Sequence, residues 1–196
     1  MNIRTSPKPI IYKLVFMGDS GVGKSSLANR IVSDTFLAGT EATIGASYFS
    51  KFIVKDGQQY NFNIWDTAGQ EKYNCLVPLY YRNSDAAILV YDITNRKSYE
   101  NAKKRIPELR DKSSVSTVML IGNKADLGER QIETDEASEF AAEKDILHLE
   151  TSAKTSLNIH GILETILDEL PMPAPRSNTM PLVPCTDTYS SPCCNI

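Results

Sequence analysis

No apolar run in this chain reaches the ~20 residues that a membrane-spanning helix requires. Residues 1–9 hold no long apolar stretch, so no secretory signal is expected there. Cysteine is scarce: of four in 196 residues, only Cys75 falls in the part with the composition of a folded domain. That excludes a structural disulfide framework and fits a reducing cytosol. A large charge of either sign is also missing. The net charge of -3 does not suit a non-specific grip on nucleic acid, so no nucleic-acid partner is expected. Internal repeats are absent. The two histidines, His148 in an apolar strand pattern and His160 on a helix, read as structural rather than catalytic.

What is present is an ordinary soluble composition, 41% apolar and 23% charged, enough for a real core. Near its front stands Gly18-Asp-Ser-Gly-Val-Gly-Lys24-Ser25, with the spacing Gly-x4-Gly-Lys-Ser. The apolar run Ile10–Met17 precedes it and helix-forming residues follow, which is the strand, loop, helix context this motif needs. Glycines let successive amide N–H groups turn inward around phosphate oxygens. The positive end of the following helix points at the same place. Lys24 adds a charge over the outer phosphates, and Ser25 Oγ is a hard oxygen suited to Mg²⁺.

Strand-like runs recur at Ile10–Met17, Tyr48–Lys55, Tyr60–Trp65, Ala86–Tyr91, Val115–Ile121 and Ile146–Glu150. Helical patterns fall near Lys24–Ser33, Lys97–Asp111, Asp135–Lys144 and Leu157–Leu170, with a shorter one around Glu71–Tyr80. This alternation predicts an α/β fold, a mostly parallel sheet with helices on both faces. Asp56-Gly57 reads as a hairpin turn, so one edge pairing should be antiparallel. Pro107 sits inside a helical pattern and should kink or break it. Past Leu170 the composition shifts: residues 171–196 hold six of the ten prolines and only two charged residues. The expected organisation is an extension over 1–9, a nucleotide-binding domain over 10–170 and a flexible tail over 171–196.

Four more segments carry chemistry; three follow a strand run, where open α/β sheets bind ligands, and Thr43 lies in a loop after the first helix. In Asp66-Thr67-Ala68-Gly69-Gln70, Asp66 can hold Mg²⁺ through water, Gly69 can offer its N–H to a γ-phosphate, and Gln70 can orient an attacking water. Thr43 can supply a second hydroxyl to the metal. In Asn123-Lys124-Ala125-Asp126, the Asp126 carboxylate can accept from the N1–H and N2 amino group of guanine. Adenine lacks that N1–H, and sites built on a specific hydrogen bond discriminate by roughly 10⁴–10⁵. In Thr151-Ser152-Ala153-Lys154, a backbone N–H can meet guanine O6.

Together these segments resemble small GTPases of the Ras superfamily over residues 10–170. Ile44-Gly45, Trp65, Gln70-Glu71-Lys72-Tyr73 and Tyr80-Tyr81-Arg82 are similar to Rab signatures, most of all those of the early-endosomal branch. Arg105 departs from the pattern, standing where a Trp is common. The resemblance implies a P-loop NTPase (Ras-like) fold with a six-stranded sheet and one antiparallel edge strand. It implies GTP or GDP as the bound nucleotide, with contacts from Ser20, Gly21, Val22, Gly23, Lys24, Ser25, Ser26, Phe36, Thr43, Gly69, Asn123, Lys124, Asp126, Ser152, Ala153 and Lys154. Mg²⁺ would be held at Ser25, Thr43 and Asp66, and catalysis would fall to Gln70, Lys24 and Thr43. Ile44, Tyr48, Trp65 and Tyr80 would form the surface that effectors read. As core residues the aromatics would also make sense.

The terminal Cys193-Cys194-Asn195-Ile196 looks like a Rab-type double prenylation signal, since one lipid anchors only marginally and two anchor stably. Cys185 could be a further acylation site but reads better as incidental. The implied protein is a switch in vesicle traffic on the cytoplasmic face of endosomal membranes, cycling with the cytosol. Its implied partners are an exchange factor, an activating protein, a GDP-dissociation inhibitor or escort protein, and effectors. Hydrolysis unaided should be slow, because no arginine stands in the glycine loop. A nucleotide-binding scaffold that does not cycle is the alternative; Gln70 and Thr43 speak against it. Asp126 and Ser152–Lys154 speak against an ATP-dependent phosphotransferase.

Overall fold

The computed structural model describes residues 8–39, 42–69, 77–112 and 115–172. Elements alternate along the chain: β1 Ile10–Met17, α1 Lys24–Ser33, β2 Ala46–Lys55, β3 Gln58–Thr67, α2 Val77–Tyr81, β4 Ala86–Asp92, α3 Arg96–Lys112, β5 Thr117–Asn123, α4 Thr134–Glu143, β6 Leu147–Glu150 and α5 Ile159–Glu169. The six strands lie in the order β2-β3-β1-β4-β5-β6. Every pairing is parallel except β2 with β3. That hairpin turns at Asp56 and Gly57, whose φ angles of 52° and 77° are the left-handed pair a two-residue turn needs.

Strand alternation divides the core between two faces. Leu14 and Phe16 of β1, Ile88 and Val90 of β4, and Met119 and Ile121 of β5 pack against α1 and α5. Val15, Met17, Leu89, Tyr91 and Leu120 face the other way, against α3 and α4. β4 and β5 are buried along their whole length, as central strands covered on both sides must be.

Three expectations are revised. Pro107 does not break its helix: α3 runs through it to Lys112. The ring sits on the exposed face, where the carbonyl it leaves unpaired can meet water, while Ile106 and Leu109 on either side stay buried in the core. β5 reaches Asn123, because pairing with β4 carries on to Asp92↔Asn123 beyond the apolar run. Leu157 is not in α5 but bridges to Ser152, and the helix starts after Asn158, whose φ of 57° suits a left-handed Asn. Of the helix expected near Glu71–Tyr80, only Val77–Tyr81 lies within the described residues.

Candidate functional site: a nucleotide cavity at the carboxyl ends of the strands

β1 ends at Met17, and the chain must turn at once. Gly18 makes the turn with φ of 143°, and a Cβ there would lie 2.2 Å from the Val90 carbonyl oxygen. Gly23, with φ of 96°, stands at the start of α1, and no side chain caps that helix. Its first N–H groups are therefore left for an anion. The loop borders a cavity of about 400 Å³ whose walls include Ser20, Gly21, Gly23, Lys24, Ser25 and Ser26. Phe36, Thr43 and Gly69 line it as well, with Asn123, Lys124, Asp126, Ala153 and Lys154 at the far end. Val22 stands behind the wall, its side chain in the core.

At one end, hard oxygens converge. Ser25 Oγ donates to Asp66 Oδ2 at 2.5 Å and lies 2.8 Å from Thr43 Oγ1, which reaches the same carboxylate oxygen at 3.4 Å. Asp66 is 1% exposed, and its Oδ1 has no hydrogen-bond partner among the described residues. Burial raises the Asp66 carboxyl, opposed by the Ser25 hydroxyl, the Lys24 ammonium and the Thr43 hydroxyl. An orphaned carboxylate oxygen beside two hydroxyls is the donor chemistry Mg²⁺ selects. The residues present fit that ion.

Lys24 is 5% exposed and its Nζ donates to the Asp19 carbonyl at 2.7 Å. Burial lowers it to about 8, with Asp66 and Asp19 working against that and Arg105 of α3 adding to it. α3 also braces the loop directly: Asn101 Nδ2 donates to Asp19 Oδ2 at 2.7 Å. Gln70 lies outside the described residues.

At the other end, Asn123 both lines the cavity and braces it. Only 2% exposed, it donates from Nδ2 to the Val22 carbonyl at 2.8 Å. Its Oδ1 accepts from the Ala153 N–H at 3.3 Å and the Thr151 hydroxyl at 3.4 Å. One amide thus joins the glycine loop to the last motif. Lys124 follows with φ of 69°, a conformation costly for a long side chain. Its Nζ is fixed on Asp92 Oδ2 at 2.6 Å. Asp126 Oδ1 accepts from Ser152 Oγ at 2.6 Å, and Lys154 Nζ approaches Oδ2 at 3.7 Å. Ser152 is fully buried beneath that carboxylate and does not line the cavity.

Motif reading misses Asn101, Asp92 and Arg30, which hold the motifs from 82, 32 and 123 residues away in sequence. No phosphate- or base-binding motif marks them. The pattern that could have pointed to Asn101 is its helical spacing with Ser98 and Arg105 on one side of α3.

Beside the hard-oxygen cluster, Tyr48 and Trp65 meet edge to face at 5.4 Å between ring centres, and Trp65 and Tyr80 at 5.6 Å. Tyr48 is 53% exposed and Ile44 81%. Trp65 and Tyr80 rest partly buried on the core, so the aromatics are core residues on one side and surface on the other.

A glycine loop at the switch point of this sheet, a hard-oxygen cluster and a carboxylate pocket define a P-loop nucleotide-binding protein. The family model "Ras family" matches residues 13–172. The chain is 45% identical to the Ras-related protein RABF2a of Arabidopsis thaliana, over 95% of this chain and 96% of that one. It is 47% identical to the Ras-related protein Rab5A of Oryza sativa subsp. japonica, over 81% and 79%, and 44% identical to the Ras-related protein Rab5 of Nicotiana tabacum, over 93% and 94%. The chain belongs to the Ras family and is of the Rab type: a small GTPase that binds guanine nucleotide and hydrolyses GTP.

Proposed function

We propose that this GTPase is a switch for endosomal membrane traffic, in which the γ-phosphate sets the shape of a surface read by effectors. The observation that carries the reading is the convergence of Ser25, Thr43 and Asp66 at one end of the cavity. These residues would hold Mg²⁺, which supplies positive charge against the phosphate oxygens. Lys24 and the amides of Ser20, Gly21, Val22, Gly23, Ser25 and Ser26 cradle the phosphates. Thr43 and the Gly69 N–H sense the γ-phosphate, and Gln70 orients the attacking water. Asp126 holds the N1–H and N2 amino edge of guanine, Phe36 packs on its ring, and the Ser152–Lys154 loop meets O6.

Support for the coupling is one of position. Ser47↔Asp66 and Tyr48↔Trp65 are successive pairs of the β2–β3 ladder. The chain that leaves the metal end therefore enters the exposed aromatic stack at the next residue. Ordering Thr43 and Gly69 on GTP, and releasing them on hydrolysis, alters how Ile44, Tyr48, Trp65 and Tyr80 are presented to effectors. Hydrolysis unaided is slow, and an activating protein, an exchange factor and a GDP-dissociation inhibitor or escort protein complete the cycle. The tail over residues 171–196 tethers the domain through prenylated Cys193 and Cys194, which lie outside the described residues. Among the described residues no helix is long and apolar enough to cross a membrane.

Single-turnover hydrolysis tests the switch. Gln70→Leu keeps GTP binding and loses most turnover, because Leu cannot hydrogen-bond the water. Parent-like turnover, with and without an activating protein, rules out the role given to Gln70.

A further inference from the structure

Arg30 stands in the last turn of α1, far along the helix from the phosphate end at Lys24 and Ser25. Its side chain is only 14% exposed, and all three of its guanidinium nitrogens donate. Nε reaches the Ala153 carbonyl at 2.9 Å and Nη2 the Lys154 carbonyl at 3.1 Å. Nη1 reaches the Asp34 carbonyl at 2.7 Å, at the end of the same helix, and Asp34 Oδ1 at 3.2 Å. A planar fork of fixed geometry is spread between a helix and two successive carbonyls of the base loop.

Those carbonyls determine where the loop's donors point. A trans peptide is planar, with its C=O and N–H directed oppositely. Holding the Ala153 carbonyl on Arg30 aims the Lys154 N–H away from α1, and Ala153 and Lys154 both line the cavity. The Ala153 N–H is held from the other side by Asn123 Oδ1.

We infer that Arg30 is a specificity-determining positioning residue, which holds the Ala153 and Lys154 carbonyls so that the Lys154 N–H faces O6 of guanine. The inference rests on the assignment of the base pocket made above. It separates two edges of one base: Arg30 governs O6, while Asp126, on the loop after β5, governs N1–H and the 2-amino group.

The test is equilibrium competition on the full chain at fixed Mg²⁺ with three probes. These are GDP, 6-thio-GDP, whose sulfur is a poor acceptor in place of O6, and IDP, which lacks the 2-amino group. Arg30→Met is expected to shrink the preference for GDP over 6-thio-GDP by about tenfold, the scale of losing charge-assisted positioning. The preference for GDP over IDP should stay within about a factor of two, since Asp126 is untouched. Arg30→Lys should give the same result, because a single ammonium cannot span both carbonyls. It also decides the matter if Arg30→Met fails to fold. If GDP, 6-thio-GDP and IDP all weaken by one common factor, Arg30 is only structural and the inference is overturned. If the parent protein shows no preference for GDP over either analogue, the base-pocket assignment itself fails and takes the inference with it.

Discussion

At Gly69 there is no room for a side chain. A Cβ would lie 2.4 Å from the Asp19 carbonyl carbon and 2.5 Å from Lys24 Nζ. The first of these is backbone and cannot swing aside, so the loop carrying Gly69 or the glycine loop must move. With Lys24 on the outer phosphates, as proposed, the loss should fall on GTP more than on GDP. Gly69→Ala is expected to lower the ratio of GTP to GDP affinity by about tenfold or more, the scale of a misplaced charged contact. Competition between the two nucleotides at fixed Mg²⁺ measures it, and an unchanged ratio removes Gly69 from the γ-phosphate site. At this scale, chemistry is legible in sequence where a residue's neighbours in the chain announce it. Lys24, Ser25 and Asp126 stand in motifs whose spacing is set by phosphate and base. Arg30, Asn101 and Asp92 carry no such mark, because they act across elements through one or two hydrogen bonds.

Among the elements, α3 shows how tertiary packing overrides a local breaker. Its buried face, Tyr99, Ala102, Ile106 and Leu109, holds the helix on the sheet through the turn that Pro107 weakens. A proline in a helix interior costs ~3 kcal/mol, and its stiffness in the unfolded chain returns ~0.4–1 kcal/mol of that. Pro107→Ala should therefore stabilise the fold by about 2 kcal/mol and raise the melting temperature by roughly 4–8 °C. An equal or lower melting temperature would mean that α3 loses nothing at this position. The strand and helix order was legible because each element is apolar along a buried face. The ends were less so: Asp66 and Thr67 of β3 and Gly122 and Asn123 of β5 are ladder residues that no apolar pattern includes. Their place is set by the neighbouring strand, and these are the residues on which the site is built.

Taken whole, the molecule puts its chemistry at one end of the sheet, while the described chain ends at Pro171 and Met172, where the Pro171 carbonyl accepts from Tyr12 near the start of β1. Start and finish of β1 lie at opposite ends of the sheet, so the lipid tether proposed above would be rooted away from the cavity. On the proposed reading, each prenyl group alone would supply too little buried hydrocarbon for stable residence, and residues 171–196 have no basic cluster to add. Replacing both Cys193 and Cys194 with Ser should leave the protein cytosolic with nucleotide binding intact. Fractionation of cells decides, and a double variant that pellets with membranes as the parent does points to another anchor. The central claim, that one cavity reads guanine through Asp126, is tested most directly by exchanging the base. Asp126→Asn replaces a carboxylate that accepts two hydrogen bonds by an amide that can donate to the C2 carbonyl of xanthine. Competition of GTP against XTP for the parent and the variant should show the preference reversed, with GTP weakened in the variant. Equal GTP affinity in the two proteins would contradict the account.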